Sequence, residues 1–407
     1  MKAVVFHAIG DIRLDEVDEP RIQEPTDAIV RLTATAICGT DLHLVRGTLP
    51  GMKPGTILGH EGVGIVEEVG RGVRNVLPGD RVLIPSTISC GACPFCRRGE
   101  YSQCDRANPK GPSAGTSFFG GPESSGPVAG LQAELARIPQ AQAVLVPLPD
   151  DVTDDQAILL SDIFPTGYFG AEIAGVRRGT IVAVFGCGPV GLCAIASARL
   201  RDAARIIAVD HHPDRLEEAK ALGAETIDFN AEDPVDAIRD LTGGVGADAS
   251  IDAVGVDAEM PHRGPAARKA DRERSTFKRE CSEVAPETHP AEDGSWTPGD
   301  APSQALSWAV DGVAKAGTVA IIGVYPEGAR SFPIGKAMSK NLTVRMGNCN
   351  HLAYARKLIR WVRSGVLDPE AILSQKEPMV DAVEAYRAFD HRQTGWIKVE
   401  LQPTAAR

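Results

Sequence analysis

Four cysteines, Cys90, Cys93, Cys96 and Cys104, crowd into the stretch SCGACPFCRRGEYSQC. Such a cluster can be a disulfide knot, a redox site or a metal cage. The N-terminal MKAVVFHAIGDIRL lacks the long apolar core of a secretory leader. A cytoplasmic, reducing location is therefore expected, where a disulfide framework is disfavoured. Zinc accounts for the spacing better: thiolates at C-x2-C-x2-C-x7-C can surround one ion tetrahedrally, each at about 2.3 Å. Gly91, Pro94 and Gly99 supply the turns between them. Four sulfurs close the sphere and leave no position for substrate, so the lobe at about 88–106 reads as structural. Unligated thiols in a loop are the alternative.

Other residues carry the chemistry. GCGPVG matches G-x-G-x-x-G at Gly186, Gly188 and Gly191, with Pro189 and Val190 between the last two glycines. It follows an apolar strand and opens an apolar helix, the context of a dinucleotide site. Gly186 allows the tight turn, Gly188 the approach of a pyrophosphate, and Gly191 close packing of helix on strand. The helix that Pro189 and Val190 open would present its free N–H groups to the phosphates, from Val190 onward because Pro189 has none. Asp210 ends the next strand, where its carboxylate can accept from both ribose hydroxyls and repel a 2′-phosphate. NAD is expected over NADP. Asp210 as a mere turn residue is the alternative, and a protonated His211 or His212 would soften the repulsion. Cys38 and His60 are further zinc-ligand types, although a lone Cys or His is more often core.

The elements that must position these groups can be read from periodicity. The 407 residues exceed one compact core, so two domains are expected. Hydrophobic content is 43%, charged content 24% and net charge −11, which argues against a nucleic-acid partner. The basic patch HRGPAARKADRERSTFKRE has acidic residues interleaved and reads as a solvated loop. No apolar run is long enough for a membrane span. Residues 1–150 are β-rich, with KAVVF, AIVRLTATAI, GVGIVEEV, DRVLIP and AVLVPL as strands. From about 154 strands and helices alternate, including a helix QALSWAVDGVAKAG and a strand TVAIIGV, which implies a doubly wound parallel sheet. The expected division is 1–154 with 327–407 as one domain and 155–326 as the other. A Pro- and charge-rich insertion at about 256–302 shows no apolar periodicity. It leaves from the C-terminal end of a strand, where α/β sheets bind ligands. A lid over the ligand and an idle surface loop are both open readings.

GHEGVG, continuing through Gly70 to Val73, together with AICGTDLHLVRG, the four-cysteine lobe and the dinucleotide turn, resembles the zinc-containing alcohol dehydrogenases of the medium-chain dehydrogenase/reductase superfamily. The resemblance covers nearly the whole chain. It implies a GroES-like, β-rich catalytic domain beside a Rossmann coenzyme domain, and two zinc ions per chain. Cys38 and His60 would be ligands of a catalytic zinc, with Asp41 orienting His60 and Glu61 adjacent to the metal. Thr40 would contact the substrate oxygen, and His43 would continue the proton path through a cofactor ribose hydroxyl. Many relatives have a second cysteine as third ligand. LLSDIFPTGYFG offers Asp162 instead, as do the glutathione-independent formaldehyde dehydrogenases and formaldehyde dismutases, so Asp162 is expected to complete the site. An N-cap role for Asp162 is the alternative. The same subfamily has an insertion after DAVG that covers the adenine end of a tightly held NAD.

The implied chemistry is hydride transfer between a small alcohol or hydrated aldehyde and NAD. An open-position zinc acts as the Lewis acid. Hydrated formaldehyde offers the same HO–C–H unit as an alcohol. Polyol or threonine dehydrogenase is the rival activity, and a catalytically silent NAD(H)-binding relative the rival class. A homo-oligomer is implied, a tetramer before a dimer.

Overall fold

The structure, a computed structural model, describes residues 1–403. Residues 404–407, at the end of the expected segment 327–407, lie outside the described residues. The N-terminal part forms strands Lys2–Ala8 (β1), Asp11–Glu16 (β2), Ala28–Ile37 (β3), Thr56–Ile57 (β4), Gly62–Val69 (β5), Arg81–Ile84 (β6), Leu135–Ile138 (β7) and Val146–Pro147 (β8). The central part adds Ile181–Phe185 (β9), Arg205–Asp210 (β10), Glu225–Asp228 (β11), Ala247–Asp252 (β12), Val313–Ile321 (β13) and Thr343–Met346 (β14). Gln375–Pro378 (β15) and Val399–Gln402 (β16) return at the end of the chain.

Two sheets matter for the site. The larger one runs β15-β16-β3-β5-β6-β8, with β7 also on β3. Its β3–β5 pair is antiparallel, with Thr35 opposite Gly62. That register brings Cys38, just past the end of β3, beside His60, just before β5. The other sheet runs β11-β10-β9-β12-β13-β14, with every neighbouring pair parallel. Its strands are short apolar runs such as IVAVF, because both faces are buried under helices. Strand order reverses between β9 and β12, and a crevice opens at such a switch point.

Four details differ from the sequence expectation. AVLVPL begins inside a helical turn, Ala141–Val144, and only its Val146–Pro147 pair forms a strand, the two-residue β8. The helix of QALSWAVDGVAKAG stops at Gly312, and Val313 already pairs with Ala247. Parallel pairing overrides the helix propensity of the alanines and lysine, with Ala316 at φ 61 where the ladder bulges. β14 belongs to the parallel sheet, so that sheet extends past the expected boundary at 326. The insertion, including its basic patch, is not a bare loop: it holds helices Gly264–Ala270 and Arg274–Val284 over a small core of Met260, Ala270, Phe277 and Ala301. Farther on, Trp296 is 2% exposed in the core of the first sheet's domain, packed edge-on to Tyr386. The insertion is thus tied to both halves. No helix among the described residues is long and apolar enough to cross a membrane.

Candidate active site

Cys38, His60, Glu61 and Asp162 place one donor atom each within 4.8 Å of one another, and all four are buried. Asp162 stands at the N-cap of helix Ile163–Ile173, but its side chain makes no cap hydrogen bond. Oδ2 lies 3.5 Å from Cys38 Sγ and 3.4 Å from His60 Nε2. A tetrahedral zinc with bonds of about 2.3 Å to sulfur and about 2.0 Å to nitrogen and oxygen would set such atoms about 3.5 and about 3.3 Å apart. The donor set and its spacing therefore fit zinc.

The surroundings orient each donor. His60 Nδ1 lies 3.3 Å from Asp41 Oδ1, and Cys38 N–H donates to Asp41 Oδ2 at 2.9 Å. Gln132 accepts from the buried Tyr386 hydroxyl and donates to Ala36 O, which fixes the floor beneath Asp41. Burial opposes charge on His60, yet Asp41 and Cys38 raise its pKa well above the usual range. Burial pushes the Cys38 thiol up, and the Asp162 carboxylate adds to this. Burial pushes the Glu61 carboxyl up to about 7, against the attraction of Lys398. Lys398 Nζ, fully buried, holds Glu61 Oε1 at 2.5 Å and donates to Ile37 O at 3.0 Å. Glu61 Oε2 is buried without a partner beside the cluster. A cation here would meet that orphaned oxygen.

His351 was not found from sequence. It opens helix His351–Arg363, and its Nε2 lies 2.7 Å from Asp162 Oδ1. The carboxylate is thereby split, with Oδ1 toward His351 and Oδ2 toward Cys38 and His60. Burial raises the cost of the Asp162 charge, but hydrogen bonds from His351 and His60 hold its pKa well below the usual range. Thr87 and Thr166 hydroxyls lie 3.2 and 3.1 Å from the two His351 nitrogens. Lys398 was missed too. No local spacing marks either residue, because their partners are 189 and 337 positions away.

Thr40 and His43 share a face of helix Gly39–Arg46, three residues apart, and both line a cleft of about 560 Å³. The cleft runs between the sheets from Cys38, His60 and Asp162 to Gly186, Gly188, Pro189, Val190 and Asp210. Gly186 adopts φ 88, and a Cβ on Gly191 would fall 1.9 Å from Gly186 O. A Cβ on Gly188 would meet only the Arg215 guanidinium at 3.7 Å, so the backbone there lies open to a ligand. Asp210 accepts from the backbone N–H of Cys187, His211 and His212 at 2.7, 2.7 and 3.0 Å. It pins the glycine turn while lining the cleft. Burial works against its charge, and Arg215 and His212 lower its pKa.

Cys90, Cys93, Cys96 and Cys104 converge as a second group away from the cleft. Backbone N–H groups of Cys90, Cys93 and Cys96 point at sulfurs of the same group at 3.2 to 3.5 Å. Cys93 Sγ lies 3.9 Å from Cys104 Sγ, near the roughly 3.8 Å edge of a zinc–thiolate tetrahedron.

Known proteins can be set beside this geometry. Residues 24–150 match the family described as Alcohol dehydrogenase GroES-like domain, and residues 189–263 the family Zinc-binding dehydrogenase. The zinc-type alcohol dehydrogenase-like protein AdhB of Bacillus subtilis is 35% identical, over 99% of this chain and 100% of that protein. The alcohol dehydrogenase TADH from Thermus sp. ATN1 superposes with a TM-score of 0.78 at 35% identity, over 99% of both chains. The glutathione-independent formaldehyde dehydrogenase of Pseudomonas aeruginosa is 38% identical over 63% of this chain and 66% of that protein. The chain belongs to the zinc-containing alcohol dehydrogenases of the medium-chain dehydrogenase/reductase superfamily, oxidoreductases that work with zinc and a nicotinamide cofactor.

Proposed function

We propose that this enzyme transfers a hydride between a small alcohol or hydrated aldehyde and NAD, at a zinc held by Cys38, His60 and Asp162. The observation that carries it is Asp162: its carboxylate leaves the N-cap role unused and turns to the sulfur and imidazole instead. The partial likeness to a formaldehyde dehydrogenase supports a hydrated aldehyde as a substrate. A second zinc would sit in the closed four-cysteine lobe.

Zinc, when bound, would polarise the substrate oxygen, and the nicotinamide cofactor would take the hydride. The chain's own residues supply the rest. Asp41 and His351 orient the ligands, Lys398 holds Glu61 beside them, the Thr40 hydroxyl meets the substrate oxygen, and His43 accepts the proton. The parallel sheet acts as the coenzyme domain and the β3-centred sheet as the catalytic domain. Asp210 lines the Gly188 end of the cleft together with Glu259, Arg215 and Arg392, and its carboxylate supports NAD over NADP. β14 is an outer strand with Met346 at its end, and Met346, Met338 and Ile334 are largely exposed. Such an edge supports a homo-oligomer, for which a tetramer is proposed. The free thiols support a cytoplasmic location.

The test is NADH formation, followed by absorbance, over a panel of primary alcohols, polyols and formaldehyde, with NAD and NADP in parallel. Turnover of formaldehyde or small alcohols with NAD is expected. Turnover of polyols alone, or equal kcat/KM with NADP, would overturn the substrate or the cofactor assignment respectively.

A further inference from the structure

The start of the insertion reaches the catalytic domain at one atom. Asp257 follows β12 and is 5% exposed. Its Oδ2 lies 3.0 Å from His43 Nδ1, 2.9 Å from Arg46 Nη1 and 3.4 Å from Thr48 Oγ1. Its Oδ1 accepts from Gly299 N–H, within the same insertion, at 3.2 Å. Arg46 is shared with Asp390, at 2.7 Å, and Asp390 also accepts from Trp296 N–H. The other titratable groups facing Asp257 are Arg392 and Cys281.

This geometry decides which nitrogen of His43 carries the ring's proton. A carboxylate oxygen only accepts. At 3.0 Å it can face an N–H but not an imidazole lone pair. Thr48 Oγ1, 2.9 Å from the same Nδ1, fits as a second acceptor. We propose that Asp257 is a positioning residue for proton transfer, which holds His43 in the Nδ1–H tautomer and leaves Nε2 as the acceptor in the cleft. The proposal rests on the reading of His43 as the proton acceptor. During alcohol oxidation the substrate's hydroxyl proton would end on Nε2 while the hydride leaves to the nicotinamide. The resulting imidazolium is stabilised by Asp257 and then releases a proton to solvent. The insertion therefore completes the proton-accepting group, a task distinct from covering a ligand.

Zinc-loaded Asp257→Asn should lose roughly 10- to 100-fold in kcat, with KM for the cofactor within about 3-fold of wild type. Asp257→Glu, which keeps the carboxylate, should recover part of the loss. His43→Ala should also lower kcat, and the double variant should be little worse than either single one, since two residues acting as a unit are non-additive. A normal kcat in His43→Ala would sink the reading of His43 itself. A fall in His43→Ala with normal kcat in Asp257→Asn, or fully additive losses, would sink only the role of Asp257. If Asp257→Asn does not fold, nitrogen NMR of 15N-histidine-labelled wild-type protein decides. His43, assigned by its loss in His43→Ala, is expected as the Nδ1–H tautomer, and an Nε2–H tautomer would overturn the proposal.

Discussion

The four-cysteine lobe and the Cys38–His60–Asp162 centre both gather metal-ligand side chains, four thiols in one and a thiol, an imidazole and a carboxylate in the other, but are built in opposite ways. In the lobe, ligands and supporting N–H groups come from one short loop, and Cys90 is partly exposed. At the centre, Cys38 and Asp162 are 124 residues apart, and both are buried beneath two sheets. The lobe has almost no core of its own beyond the sulfurs, Phe95, Tyr101 and Ala107. With the second zinc proposed above, its order would come from the ion. The centre is held by hydrophobic packing and by the Asp41, His351 and Lys398 contacts. A metal that organises a loop contributes to folding, whereas a metal placed in a prepared cavity contributes to chemistry.

The sharpest way to break this comparison is to exchange one sulfur in each place. Cys38→Ser is expected to cut kcat/KM by at least roughly 1,000-fold, about 4 kcal/mol, with a thermal midpoint within a few degrees of wild type. Cys93→Ser should do the reverse: lose one zinc per chain and lower the midpoint by roughly 10 °C, with the remaining folded protein still turning over. Kinetics, calorimetry and metal analysis on both proteins would test it, and similar losses of activity and stability in the two would erase the distinction.

A smaller effect separates ligand from support within the centre. Asp162→Asn should weaken zinc at the centre by roughly 10-fold or more, and His351→Ala by somewhat less. The lobe should keep its metal in both variants. Competition with a chelator reads this directly. Because Asn caps helices as well as Asp does, full zinc retention and unchanged kcat in Asp162→Asn would reduce Asp162 to a cap.

The smallest effect is expected at the coenzyme turn, which is local like the lobe yet faces the ligand like the centre. Asp210→Ala should narrow the preference for NAD over NADP by about 10-fold, as one charge and its hydrogen bonds are removed. An unchanged ratio of kcat/KM values would leave Asp210 only its bonds to Cys187, His211 and His212.

Much of this was legible in the sequence. The cysteine spacing, the glycine turn and the alternation of strands and helices are local patterns, and local backbone geometry dictates them: only glycine takes φ 88 at Gly186 without strain, and only a residue without Cβ fits at Gly191. Cys38, His60 and Asp162 were within reach only through motif resemblance, since nothing in their spacing says that they meet. The register of β3 on β5 and the docking of helix Ile163–Ile173 bring them together. His351, Lys398 and Asp257 were beyond reach, being ordinary residues whose buried partners lie on other elements. The two short helices of the insertion were hidden by its charge, because a core of four side chains leaves too weak a periodicity to read. Sequence alone determined the local motifs and the family. Tertiary structure decided which buried charges face one another, because a charge taken from water must find its partner wherever the fold places one.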